Sequence, residues 1–195
     1  MINYDLMELF PSPVYTAIDP TFDTYQNSIV EYIKKYRDRY ESSTVSNVLG
    51  YQSYPDVHKD HEFEGIRKHL WKKTIKPGCD VISERFYQNG FTTASFSLIN
   101  IWFNVNGKNA WNKPHTHPHS FLSGVLWIKV PEDSGELVFH SPNTHNIFGM
   151  DYTIWSVPPE EGKIILFPSY LEHSVNSNNS NEERISLSFN IALHL

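Results

Sequence analysis

Hydrophobic residues recur along this chain with two different periods, and the change from one to the other falls near its middle. Phe22, Tyr25, Ile29, Ile33 and Tyr36 are spaced by three or four residues. That interval stacks side chains on one face of an α-helix, so a helix over about residues 21–40 is expected. Phe63, Ile66, Leu70 and Trp71 repeat the spacing and predict a second helix over about residues 62–74. Between them, STVSNVLGYQSYPDV carries Gly50 and Pro55 and reads as an irregular surface segment.

From Ala94 onward the alternation is every second residue. SFSLINIWFNV (95–105), FLSGVLWIKV (121–130), GELVFHS (135–141), TIWSV (153–157), KIILFP (163–168), HSVNS (173–177) and RISLSFNIAL (184–193) read as strands. The turns between them are rich in Gly, Pro, Asn and Glu. Short strands so separated predict a mainly β, antiparallel sandwich or barrel. A jelly roll of about eight strands fits, with the helices packed on its outside. The expected layout is one domain over residues 1–195, a helical preface (1–93) followed by a jelly-roll core (94–195).

At 195 residues and 22.7 kDa the chain is long enough to bury a core without covalent staples. Its single cysteine, Cys79, excludes an internal disulfide and a thiolate zinc site, so any metal must take nitrogen and oxygen ligands. MINYDLMELFPSPVY has neither a basic start nor a long apolar run, and no stretch is apolar enough to span a bilayer. An intracellular, cytoplasmic protein without membrane attachment is expected. A net charge of -6 argues against bulk attraction to nucleic acid. The basic run His69-Leu70-Trp71-Lys72-Lys73 reads as a solvated helix end.

The stretch PHTHPHS sets His115, His117 and His119 on alternate positions. In an extended segment these share a face, so two could chelate one ion; neutral imidazole suits iron, zinc, copper or nickel. Alone, the stretch is equally a solvated turn, and a metal needs a third ligand from elsewhere. His173, just after the strand ending in Phe167-Pro168, is the best candidate. On the strand that follows, Arg184, Ser186, Ser188 and Asn190 alternate with Ile185, Leu187, Phe189 and Ile191. A polar row opposite an apolar one reads as an inward lining. Arginine's planar fork suits a carboxylate, and the Ser186 hydroxyl could reach the same group. The competing reading of Arg184 is a surface ion pair with Glu182 or Glu183. His140 and His145, flanking Pro142, read as solvent-exposed. Ser123-Gly124 lacks the G-x-S-x-G elbow of a serine hydrolase. Tyr87, Tyr152 and Trp155 are candidates to cover a site.

His115-x-His117, then His173, then Arg184-Ile185-Ser186 resemble the motif set of the Fe(II)- and 2-oxoglutarate-dependent oxygenases. More narrowly, LFPSPVY (9–15), SNVLGYQS (46–53), PHTHPHSFLSGVLWIKVPEDSGELVF (114–139), GKIILFPSYLEHSV (162–175) and ERISLSFN (183–190) are similar to a family of such oxygenases common in marine bacteria and their phages. The resemblance implies a double-stranded β-helix, which agrees with the strand pattern. It also implies His115 and His173 as iron ligands, and Arg184, helped by Ser186, as the holder of the distal carboxylate of 2-oxoglutarate. Asn100 and Trp102, alternating with Asn104, would line the cosubstrate pocket, with Trp102 equally readable as core. Dioxygen would drive decarboxylation of 2-oxoglutarate to succinate and hydroxylation of a small molecule or side chain, in a monomer or a homodimer.

At one point the chain departs from the broad superfamily: where HxD or HxE supplies a carboxylate, His117 stands. Three imidazoles would leave the ferrous centre one positive charge higher and alter its affinity and redox poise. Alternatively His117 sits behind the ligands, and water, His119 or Glu136 completes the sphere. Two other classes stay open. One is a cupin-like metalloenzyme using the HxH pair, Glu136 and His173 without 2-oxoglutarate. The other is a non-catalytic ligand-binding jelly roll.

Overall fold

A computed structural model describes residues 12–43, 45–86, 95–142 and 154–194. Tyr87, His145 and Tyr152 lie outside them. In chain order the elements are β1 (Tyr15–Ile18), α1 (Gln26–Arg39), β2 (Asn47–Val48), β3 (Tyr51–Gln52), α2 (Glu64–Leu70) and α3 (Lys76–Phe86). The β-rich half follows as β4 (Ser95–Asn106), β5 (Trp111–His115), β6 (Leu122–Lys129), β7 (Leu137–His140), β8 (Ile154–Val157), β9 (Lys163–Pro168), β10 (His173–Val175) and β11 (Arg184–His194).

These strands form two antiparallel sheets, ordered β1-β9-β6-β11-β4-β3 and β2-β5-β10-β7-β8. The strands from β4 onward divide four and four between the sheets, which is the jelly roll expected from the alternation. β1, β2 and β3 extend its edges from the N-terminal half, where the sequence pattern shows no strand. β5 also escapes that pattern, because WNKPH has no apolar alternation and contains a proline.

Alternation decides what each side of the larger sheet meets. Ile185, Leu187, Phe189 and Ile191 face the helices, packed with Ile29, Ile33 and Tyr36 of α1 and with Leu70, Ile75 and Cys79. A smaller core of Val125, Trp127, Leu137, Phe139, Ile165, Phe167 and Leu171 fills the space between the sheets. The polar row of β11 therefore shares the inner side with that second core. Helix α3 approaches the sheet at Gly78, where an added Cβ would lie 2.5 Å from Leu166 Cδ1 and 2.8 Å from Tyr15 Cε1. A side chain there would force Leu166 and Tyr15 to move.

The second predicted helix runs past Thr74. α2 passes through one π-turn, Trp71–Ile75, into α3 and ends at Phe86. Pro77 supplies the reason: it lacks the N–H that would bond to the Lys73 carbonyl, and its ring crowds that carbonyl. The chain widens by one residue, the Lys76 N–H bonding to Trp71 O. The basic run 69–73 is thus mid-helix, with Leu70 buried and Lys72 and Lys73 exposed. The segment read as irregular is also ordered: β2 pairs with β5 of one sheet and β3 with β4 of the other. Among the described residues no helix is long and apolar enough to cross a membrane.

Candidate metal centre

His115 closes β5 and His173 opens β10, and the two are direct partners across the antiparallel pair. Their rings lie 4.4 Å apart, centroid to centroid. Each is oriented by the same local contact, Nδ1 to the carbonyl two residues earlier: Lys113 O at 2.7 Å for His115 and Leu171 O at 2.9 Å for His173. Carbonyls only accept, so Nδ1 carries the proton in both rings and the Nε2 lone pair is left for an ion.

β5 ends before His117, yet His117 stays on the same side because its backbone N–H donates to Ser169 O at 3.0 Å. Its Nε2 lies 3.3 Å from His173 Nε2. Ligands about 2.1 Å from one ion and at right angles would be separated by about 3.0 Å, so this pair is nearly at chelating distance. Ligand atoms of His115, His117 and His173 all fall within 4.8 Å of one another, and among the described residues no carboxylate joins the group. His119 has a positive φ of 68°, which turns the chain away and leaves its ring exposed. Glu136 lines a separate surface depression with Glu132 and Asp133.

Apolar walls keep these imidazoles neutral. Trp102 packs on His117 with centroids 5.4 Å apart, and Phe167 meets His173 edge-on at 4.6 Å. Burial, reinforced by the neighbouring His115, brings His117 down to about 4 and His173 down to about 3; burial also lowers His115. Neutral rings are the form that binds metal, and here no proton has to be displaced from Nε2 at neutral pH.

Two spaces meet at the histidines. An inner chamber of about 30 Å³ is enclosed by His115, His117, His173, Trp102, Asn104, Asn112, Ser186 and Ser188, among others. An outer cavity of about 430 Å³ opens above it and shares Ser46, Trp102, His115 and His117 with the chamber. Asn100, expected beside Trp102 in one pocket, lines only the outer cavity.

Arg184 lies one step beyond Ser186 on the same face of β11 and is 2 % exposed. Its Nη1 donates to the carbonyls of Ser134 and of Asn176, the latter at 3.0 Å, and its guanidinium sits 5.7 Å from the centre of the Trp127 ring. Glu182 and Glu183 pair instead with Lys129 and Arg37, so the surface ion pair does not form. Burial pushes Arg184 down to about 10, which still leaves it charged at neutral pH. A buried cation without an anion is costly. Around it, Trp127 Nε1 and Ser134 Oγ are buried without a hydrogen-bond partner among the described residues.

Sequence reasoning missed a polar network beside the chamber. Asn47 Nδ2 donates to Asn104 Oδ1 at 3.1 Å and Asn106 Oδ1 at 2.9 Å, and Asn112 Nδ2 donates to Ser46 Oγ at 3.3 Å. The one available signal was Asn47 three residues before Gly50, whose N–H donates to Asn47 Oδ1 at 2.9 Å. His140, read as solvent-exposed, is half-buried with Nε2 2.9 Å from Ser174 Oγ. Trp155, on the edge strand β8, is 70 % exposed and lines a depression with Phe139 and His140, not either space at the histidines.

Residues 100–190 match the family model described as "Putative 2OG-Fe(II) oxygenase". The matched span, just under half of the chain, contains all three histidines, Arg184 and Ser186. No curated protein matches the chain in sequence. Among solved structures, a prolyl-4-hydroxylase from Pseudomonas putida is similar at 16% identity, TM-score 0.60, covering 92% of this chain and 91% of that one. The epimerase SnoN, in complex with Fe3+, alpha ketoglutarate and nogalamycin RO, is similar at 12% identity and TM-score 0.66, covering 93% and 79%. HygX from Streptomyces hygroscopicus, with nickel, 2-oxoglutarate and hygromycin B bound, is similar at 9% identity and TM-score 0.64, covering 93% and 83%. At these identities the likeness establishes a shared fold.

Proposed function

We propose that this protein is a non-haem Fe(II)- and 2-oxoglutarate-dependent oxygenase, a hydroxylase whose iron is held by His115, His117 and His173. The observation that carries this reading is the convergence of three neutral imidazoles in a jelly roll, with Arg184 buried two residues from the chamber-lining Ser186 and without an acidic partner among the described residues. The family match over residues 100–190 supports it, and so do the iron or nickel and 2-oxoglutarate bound by proteins of the same fold.

The donor set fits such a metal, since nitrogen-only ligands with proton-bearing Nδ1 atoms suit a borderline divalent ion. It fits the cosubstrate as well, because Arg184 and the orphaned Trp127 N–H call for an acidic acceptor. Bound iron, with 2-oxoglutarate and dioxygen, supplies oxidative decarboxylation to succinate coupled to hydroxylation of a C–H bond. The remaining tasks belong to the protein. The Lys113 and Leu171 carbonyls and the Ser169 carbonyl fix the three histidines. Arg184 and the Ser186 hydroxyl orient the distal carboxylate. Trp102 and Phe167 exclude water. The inner chamber, at about 30 Å³, holds little more than ordered water, so cosubstrate binding and widening of the chamber are coupled. A cytoplasmic setting and a small-molecule or side-chain substrate complete the proposal.

The test is succinate release from 2-oxoglutarate with Fe(II) in air, alongside equilibrium iron binding. His173→Ala is expected to lower release by at least about a hundredfold, since removal of one ligand or its support costs metal affinity steeply. Unchanged release by His173→Ala would remove the metal assignment. Iron binding without succinate would favour a metalloenzyme that ignores 2-oxoglutarate, although the cupin ligand set is incomplete with Glu136 elsewhere.

A further inference from the structure

The outer cavity has its own chemistry. Val45, Pro55, Trp102 and Pro118 give it apolar walls, and among the described residues Lys113 is the only charged side chain that lines it. Among the described residues Lys113 has no ion-pair partner; the lysines that form pairs are Lys68, Lys76, Lys129 and Lys163. The polar groups around the wall are mostly committed: Gln52 Oε1 accepts from Asn47 N at 3.3 Å, and Asn190 Oδ1 accepts from Ser123 Oγ at 2.7 Å. Asn100 Oδ1 differs from these in being buried with no hydrogen-bond partner among the described residues. At about 430 Å³ the space is of the size that takes small ligands or one projecting side chain.

We infer that the substrate side of this site takes a mono-anionic amide: a carboxylate-bearing molecule whose N–H is received by Asn100 and whose carboxylate meets Lys113. N-acyl amino acids and the free C-terminus of a peptide belong to that class. Each element answers a feature of the wall. A lone cation on a low-polarity rim attracts one negative charge and repels amines. A buried acceptor without a donor is costly until a donor arrives. Apolar walls carry the body of the ligand. Asn100 thereby serves the substrate, in a space separate from the chamber that Ser186 lines.

This inference rests on the oxygenase reading for its reaction, and binding separates the two. Protein loaded with Fe(II) and 2-oxoglutarate under anaerobic conditions is titrated calorimetrically with hippurate, its uncharged amide N-benzoylglycinamide, the ester analogue O-benzoylglycolate, and benzylamine. Hippurate is expected to bind tightest and benzylamine weakest. Lys113→Glu, at an exposed position that does not threaten folding, is expected to weaken hippurate about tenfold and to spare the uncharged amide. Asn100→Leu is expected to weaken hippurate several-fold and leave the ester unchanged. Benzylamine binding as well as hippurate, indifference of hippurate to Lys113→Glu, or no hippurate binding at millimolar concentration each overturns the inference. The same preparations, returned to air, report succinate. Charge-selective binding without succinate sinks the oxygenase reading alone, and succinate without selectivity sinks the ligand class alone.

Discussion

Arg184 is the residue on which the proposed cosubstrate site depends most. It is held by two carbonyls through a single nitrogen and sits over an indole, with no acid among the described residues to neutralise it. Arg184→Lys keeps the charge and loses the planar fork. The expected result is a rise of at least about tenfold in the dissociation constant for 2-oxoglutarate, with pyruvate, which lacks the distal carboxylate, unaffected. Calorimetry on the metal-loaded protein measures both, and an equal loss for the two acids would remove Arg184 from the cosubstrate site. Its inward direction was legible because Arg184, Ser186, Ser188 and Asn190 alternate with four apolar residues. His115 and His117 were legible for the same reason. What held His117 after the strand stopped was not: the Ser169 carbonyl comes from a distant loop, and no local pattern encodes it.

At the level of elements, the helical preface is fastened by one carboxylate. Asp19 accepts from Tyr25 Oη at 2.6 Å, Thr74 Oγ1 at 2.6 Å, and Thr21 through its backbone N at 2.8 Å and its Oγ1 at 2.7 Å. Burial would raise the Asp19 carboxyl, but the bonds from Thr74, Tyr25 and Thr21 together outweigh it and hold it below its ordinary value of 3.8. A carboxylate lowered on folding stabilises the native state at higher pH, and that contribution fades as acid protonates it below about pH 4. Asp19→Asn is therefore expected to cost about 2 kcal/mol near neutrality. The gap between the two melting curves should narrow below about pH 4. A gap independent of pH would show that the charge is not what matters. The paired contacts also explain why element boundaries were only partly readable. The stripe of α1 was plain, whereas the π-turn depends on Pro77 and on Thr74 reaching Asp19, a partner 55 residues away.

For the whole molecule, the site joins two sheets, with His115 and His173 on one and Trp102, Ser186 and Arg184 on the other. Ligands that bridge them should stabilise the assembly. A divalent ion and 2-oxoglutarate, each at about a hundred times its dissociation constant, are expected to add about 2.7 kcal/mol apiece. The melting temperature should rise in thermal scans and return to the apo value with a chelator. A chelator without effect on the fully loaded protein would mean that no metal is held. An antiparallel β architecture was legible from spacing, because most strands of the core alternate and the turns between them are polar; β5, which does not alternate, was not. Its edge strands were not, being two to four residues long and specified only by the sheets they join.

The segment carrying β2 and β3 laces one sheet to the other across the mouth of the site, and Val45, Ser46, Gln52 and Pro55 from its neighbourhood form one wall of the outer cavity. None of the three histidines nor Arg184 belongs to it. Part of the cavity wall therefore lies on a stretch that holds none of the candidate ligands: a library confined to residues 45–55 is expected to change what the outer cavity admits while leaving the three histidines and Arg184 in place.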